Sequence, residues 1–127
     1  MTTHKKSILF IEDEEELLAT VGNLLRDKNY HVACVKSGEE AMSFLKENKP
    51  DLLLIDLKLP GMDGFDIMKE VQARESIAKI PMVVLTAYND LNAMMYAKKS
   101  GAADYITKPF DFEYLITTIN SILFPKS

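Results

Sequence analysis

Several short apolar runs in this 127-residue chain lead directly into residues that can do chemistry. The run at 8–11 ends on Glu12 and Asp13, the run at 52–55 on Asp56, and the run at 82–85 on Thr86. A fifth and less apolar run, 102–106, leads through Thr107 to Lys108 and Pro109. Three carboxylates brought within a few ångströms repel one another, and either raised pKa values or a bound cation must resolve the conflict. An all-oxygen set with no Cys or His beside it selects a hard ion, here Mg²⁺ with Mn²⁺ as the alternative. A carboxylate nucleophile, a hard cation, an ammonium and a hydroxyl together make a site for a phosphoryl group, where positioning and charge neutralisation carry the chemistry.

Those residues can act together only if the chain folds their runs side by side. Apolar runs at 8–11, 32–35, 52–55, 82–85 and 102–106 alternate with segments whose apolar residues recur at helical spacing, such as Leu17, Val21, Leu24 and Leu25, and later Leu115, Ile119, Ile122 and Leu123. Strict strand–helix alternation predicts a parallel sheet with helices on both faces. Ser37-Gly38-Glu39-Glu40 has capping-box spacing, and Asp63, Asp90 and Asp111 are placed to cap helix N-termini. Asn29 and Gly101 suit left-handed C-terminal positions, and Pro50 and Pro81 stop the helices before them. The first, third and fourth runs are wholly apolar, as central strands should be. Tyr30 and His31 flank the second run and Asp104 interrupts the fifth, so these two belong at the edges. The predicted fold is therefore a doubly wound five-stranded parallel sheet of order 2-1-3-4-5 with five helices. In such sheets ligands bind beyond the carboxyl ends of the strands where the order reverses, between strands 1 and 3, which is where Glu12, Asp13 and Asp56 stand.

Composition bounds the remaining choices. The length suits one domain over 1–127, with 1–6 as a polar tail and 124–127 as either a natural end or the start of a linker. Apolar residues make up 47% and charged residues 27%, a globular balance. No apolar run approaches the roughly 20 residues of a membrane span, and none follows the basic start as a secretory signal would. A lone Cys34, read as a buried thiol, leaves no internal disulfide, so a reducing cytoplasmic setting is expected. The net charge of −4 argues against direct nucleic-acid binding by this segment.

Four motifs in register carry a family resemblance. Ile11-Glu12-Asp13-Glu14, the stretch 54–64 from Leu54 through Asp56 and Pro60 to Gly64, Leu85-Thr86-Ala87, and the stretch 101–110 ending Thr107-Lys108-Pro109-Phe110 are similar to the signatures of the receiver domain of two-component response regulators, and they span about 7–123. The resemblance implies a flavodoxin-like fold and a phosphoprotein that is not a turnover enzyme, catalysing only its own phosphorylation and dephosphorylation. It implies Asp56 as phosphoacceptor, Asp13 as direct metal ligand, Glu12 as a ligand through water, and the Lys58 backbone carbonyl as the third protein ligand. It implies Thr86 as the hydroxyl drawn to the phosphoryl group, Lys108 as the cation beside it, Tyr105 as the switch aromatic, and a Lys108-Pro109 bond of the kind usually cis. The implied donors are a sensor histidine kinase or a histidine phosphotransfer protein. Output would pass to a fused domain or a homodimer through the face of the fourth helix, fifth strand and fifth helix. One departure is Glu12, where Asp is commoner.

Blander readings apply elsewhere. Glu14, Glu15 and Glu16 read as a solvated first helical turn, where acids suit the helix dipole. His4 and His31 lie in a tail and beside an edge strand. Met94, Met95 and Tyr96 are consecutive on the fourth helix and cannot all face the core. A flavin-binding module of the same strand order, without phosphorylation, is the alternative function, but the acids after strand 1 would repel its phosphate. An aspartyl phosphohydrolase is disfavoured because Lys58 stands where its second Asp would be. Lys58 and Tyr88 lie two residues after Asp56 and Thr86, positions that in this family flank the phosphoryl group; a long lysine and a bulky phenol there predict a slow-decaying phosphorylated state.

Overall fold

The computed structural model describes residues 5–125, so positions 1–4 of the expected tail and the terminal 126–127 lie outside the described residues. The chain alternates strictly: β1 (Ser7–Ile11), α1 (Glu15–Asp27), β2 (His31–Val35), α2 (Gly38–Leu45), β3 (Leu52–Ile55), α3 (Gly64–Ala73), β4 (Met82–Thr86), α4 (Leu91–Lys99), β5 (Asp104–Thr107) and α5 (Phe112–Leu123). All strand pairs are parallel, in the order β2-β1-β3-β4-β5. This is the predicted doubly wound sheet, with β2 and β5 at its edges.

Side-chain alternation along the strands divides the core into two layers. Leu9, Ile11, Leu53, Ile55, Met82 and Val84 face one side and pack with residues of α2, α3 and α4, including Ala41, Met68 and Ala97. Ile8, Phe10, Leu52, Leu54, Val83 and Leu85 face the other and pack with Leu18, Val21 and Leu25 of α1 and Leu115 and Ile119 of α5. Each fully buried aliphatic side chain contributes about 1.5–3 kcal/mol relative to exposure. Apolar surface on both faces is why β1, β3 and β4 read as continuous apolar runs. On the edge strand β2, by contrast, Cys34 is half-buried rather than enclosed.

Helix ends follow local chemistry. Asn29, at φ 75°, and Gly101, at φ 106°, take left-handed backbone just after α1 and α4. Their N–H groups donate to the carbonyls of Arg26 and Lys98, and those of Tyr30 and Ala102 reach back to Leu25 and Ala97. This paired pattern closes both helices as Schellman motifs. It also explains why β5 begins at Asp104 and not at the expected Ala102, whose N–H is already spent on the helix. Asp63 forms a reciprocal capping box with Asp66. Ser37 caps through the Glu40 N–H, but the Glu40 carboxylate takes the N–H of Lys36 instead of completing the expected box. Asp111 accepts from the Glu113 N–H, whereas Asp90 starts α4 without a side-chain cap bond.

One glycine governs how α3 meets the sheet. The Gly64 N–H donates to the Leu57 carbonyl at 3.1 Å. A Cβ at Gly64 would lie 2.5 Å from the Asp56 carbonyl oxygen and 2.6 Å from the Leu57 Cα, both backbone atoms that cannot swing aside. Gly64→Ala is therefore expected to cost about 1–3 kcal/mol, the usual penalty of overpacking. Urea unfolding of parent and variant measures it, and an unchanged midpoint would contradict the close approach.

Candidate functional site

The carboxyl ends of β1, β3, β4 and β5 bring the chemistry-bearing residues to one rim. Backbone ladders continue one residue past the strands: the Glu12 N–H donates to Val35 and the Asp56 N–H to Ile11, both at 3.0 Å. The Lys108 N–H donates to the Thr86 carbonyl at 2.8 Å. These bonds hold Glu12, Asp56 and Lys108 in register with the rigid sheet.

Ligand oxygens from Glu12, Asp13 and Asp56 lie within 4.8 Å of one another. Glu12 and Asp56 are buried, at 1% and 4% exposure, while Asp13 faces solvent. The Lys108 ammonium joins the two buried acids, donating to Glu12 Oε1 at 2.6 Å and to Asp56 Oδ2 at 3.1 Å. The second oxygens are also used: Asp56 Oδ1 accepts from the Lys58 N–H at 3.0 Å, and Glu12 Oε2 from the Glu14 N–H at 3.1 Å. No hydrogen bond to the Asp13 carboxylate occurs among the described residues, so its oxygens stand open toward the cluster. Fully ionised, three carboxylates against one ammonium leave an excess of two negative charges, the charge of one divalent cation. The donor set is all oxygen and fits a hard ion.

The electrostatics record this crowding. Burial pushes the Glu12 carboxyl up to about 7; the hydrogen bond from Lys108 opposes the rise and the charge of Asp56 adds to it. Burial works against the Lys108 ammonium, but its hydrogen bonds to Glu12 and Asp56 prevail and raise its pKa above the ordinary lysine value.

Thr86 is fully buried at the end of β4, and its Oγ1 accepts from the Tyr88 N–H at 3.4 Å. Tyr105 is turned inward, 7% exposed, and packs against the α2–α3–α4 side of the core. Its hydroxyl donates to the Tyr88 carbonyl at 2.8 Å. Burial raises the Tyr105 pKa, with further contributions from the charges of Asp90 and Asp56 and from Tyr88. The Lys58 side chain is exposed, as is that of Tyr88 at 42%. The Lys108-Pro109 peptide bond is cis.

The family model for the response regulator receiver domain matches residues 8–120. This chain belongs to that family. It is 33% identical over 117 residues to the transcriptional regulatory protein AfsQ1 of Streptomyces coelicolor, covering 92% of this chain and 51% of that protein. It is 35% identical over 123 residues to the transcriptional regulatory protein ZraR of Escherichia coli, covering 97% of this chain and 27% of that protein. Among solved structures it resembles a putative response regulator from Chloroflexus aurantiacus, with a TM-score of 0.90 and 32% identity over 94% of this chain and 98% of that one. The chain thus spans about half the length of AfsQ1 and about a quarter of ZraR. As a receiver domain it takes part in two-component signalling. No helix among the described residues is long and apolar enough to cross a membrane.

Three features of the receiver site were not read from the sequence. Glu12 pairs directly with Lys108 across a separation of 96 residues, which no local spacing signals. The Tyr105–Tyr88 bond uses a backbone carbonyl, and Gly64 abuts the Asp56 carbonyl; neither leaves a side-chain pattern.

Replacing Lys108 by Met strips both buried acids of their shared cation. A carboxyl whose folded-state pKa exceeds its unfolded value stabilises the fold below the unfolded pKa, and that contribution is lost as pH rises through the folded pKa. For Glu12 the window runs from 4.5 to about 7 in the parent, and without Lys108 it extends further upward. In metal-free buffer the variant's stability deficit should therefore grow between pH 6 and pH 8 by on the order of 1 kcal/mol. Urea midpoints at the two pH values test this, and a pH-independent deficit would contradict the Glu12–Lys108 pairing.

Proposed function

We propose that this receiver domain accepts a phosphoryl group on Asp56 from a histidine kinase or histidine phosphotransfer protein and uses it to switch an output surface. The observation that carries the reading is the buried Asp56 carboxylate, hydrogen-bonded by Lys108 and set beside Glu12 and Asp13. An Asp56 oxygen forms the new bond to phosphorus while the bond from phosphorus to the donor's leaving atom breaks, and that electron pair departs with the donor. Lys108 draws toward the charge of the incoming group, and the Lys58 N–H fixes the orientation of the carboxylate. Asp13, Asp56 and the Lys58 carbonyl would hold Mg²⁺ or Mn²⁺, with Glu12 contributing through water. When bound, the ion supplies positive charge to the phosphoryl oxygens.

The switch would lie in Thr86 and Tyr105, whose hydroxyls converge on the backbone of Tyr88. A Thr86 hydroxyl drawn to the phosphoryl group must release its bond from Tyr88, which biases the β4–α4 connection. The surface that changes is that of α4, β5 and α5, where Leu91, Met95, Tyr96 and Tyr114 are exposed. Since the matched relatives are longer and named as transcriptional regulators, an attached output domain or a second copy would meet this face. Lys58 and Tyr88 flank the acceptor and would slow hydrolysis by crowding the approach of water.

Incubation with acetyl phosphate and Mg²⁺ is expected to phosphorylate the parent and leave Asp56→Asn unmodified, because the amide is a far poorer nucleophile. Intact-mass spectrometry decides it, and a modified Asn variant would exclude Asp56 as acceptor. A chelator should stop uptake without unfolding the domain, and added Mg²⁺ should raise the melting temperature of unphosphorylated protein. If Mg²⁺ changes neither, Glu12, Asp13 and Asp56 are not a metal site.

A further inference from the structure

We infer that the Tyr105 hydroxyl is a positioning group for the phosphoryl lifetime, acting through Tyr88. This rests on the reading of Asp56 as phosphoacceptor. The segment after β4 turns over the site rim, and two side chains fix its course at Tyr88. The Tyr88 N–H donates to Thr86 Oγ1 at 3.4 Å, and its carbonyl accepts from the Tyr105 hydroxyl at 2.8 Å. The first bond is long and competes with any phosphoryl oxygen that recruits the Thr86 hydroxyl. Once the threonine is engaged by phosphate, the Tyr105 hydroxyl is the stronger of the two holds on Tyr88. The Tyr105 ring is itself packed with buried core residues, so its hydroxyl is presented from a rigid base.

Tyr88 carries a large side chain that is 42% exposed and packed into nothing that would hold it by itself. The Tyr88 phenol can restrict the path of a water toward phosphorus only while its backbone is held at the rim. Hydrolysis requires that water in line with the bond to Asp56, so loss of the hold opens the path. The switch and the timer are thereby one device: whatever keeps Tyr105 inward, including a partner bound to the α4–β5–α5 face, also prolongs phosphorylation. Such coupling is reciprocal, so longer-lived phosphate and inward Tyr105 favour each other.

The test is the decay of phosphorylated protein after acetyl phosphate is removed by desalting, followed by intact mass in Mg²⁺. Parent, Tyr105→Phe, Tyr88→Ala and the double variant are compared. Phe retains the buried ring and removes only the hydroxyl, and matched thermal melts verify that the fold persists. Tyr105→Phe should still take up phosphate and lose it about twofold to tenfold faster, the range set by one neutral hydrogen bond. Tyr88→Ala should also decay faster, and adding Tyr105→Phe to it should change nothing further, because the hydroxyl then positions no phenol. Decay of Tyr105→Phe at the parent rate, or multiplied effects in the double variant, would overturn the inference while leaving Asp56 as acceptor. A parent that takes up no phosphate overturns both readings together.

Discussion

Two acids buried at the end of a parallel sheet need a counter-charge, and in this protein Lys108 supplies it from the opposite half of the chain. Its ammonium holds Glu12 at 2.6 Å and Asp56 at 3.1 Å, and the third acid, Asp13, stands at the solvent side of the same cluster. Removing one partner of such an arrangement costs several kcal/mol, because the other charges stay buried without compensation. The cluster is still short of positive charge. Glu12, pushed up to about 7, shows how far Lys108 falls short of neutralising its neighbours. A site with unmet demand for positive charge and a carboxylate fixed at its centre is built for a divalent ion and an incoming phosphoryl group.

The sheet makes this arrangement affordable. Glu12 and Asp56 are the next residues after β1 and β3, neighbours in the order β2-β1-β3-β4-β5, and each is tied by its own N–H to the adjoining strand. Two apolar layers hold those strands, so the acids cannot separate without disturbing the core. Gly64 lets α3 start against the Asp56 carbonyl, which closes the site from the side where any larger residue would collide. At the other end of the rim, Tyr105 joins the core to the backbone of Tyr88 and thereby links the site to the α4–β5–α5 face.

Most of this architecture was legible in the residues. The runs at 8–11, 52–55 and 82–85 announce central strands because both of their faces are buried, and His31 and Asp104 mark the edges because those strands meet solvent. Motif spacing was enough to bring Asp56, Asp13, Thr86 and Lys108 to one rim. The start of β5 was misplaced by two residues because Ala102 is as apolar as a strand residue, yet its N–H closes α4. The capping partner of Glu40 was misread for a related reason: a neighbouring N–H at Lys36 was equally within reach. Pairing between Glu12 and Lys108 could not be read at all, since long-range side-chain geometry has no period in the sequence. The Tyr105 hydroxyl bond was equally hidden, since its acceptor is a backbone atom that every residue possesses.

The account stands or falls on where phosphate becomes attached. Protein phosphorylated with acetyl phosphate and Mg²⁺ can be treated with borohydride, which reduces an acyl phosphate to the corresponding alcohol and converts an aspartyl phosphate to homoserine. Peptide mapping by mass spectrometry then reads the position directly. The account predicts homoserine at Asp56 and at no other carboxylate. Reduction at Glu12 or Asp13, or a phosphorylated protein with no reducible acyl phosphate, would contradict it.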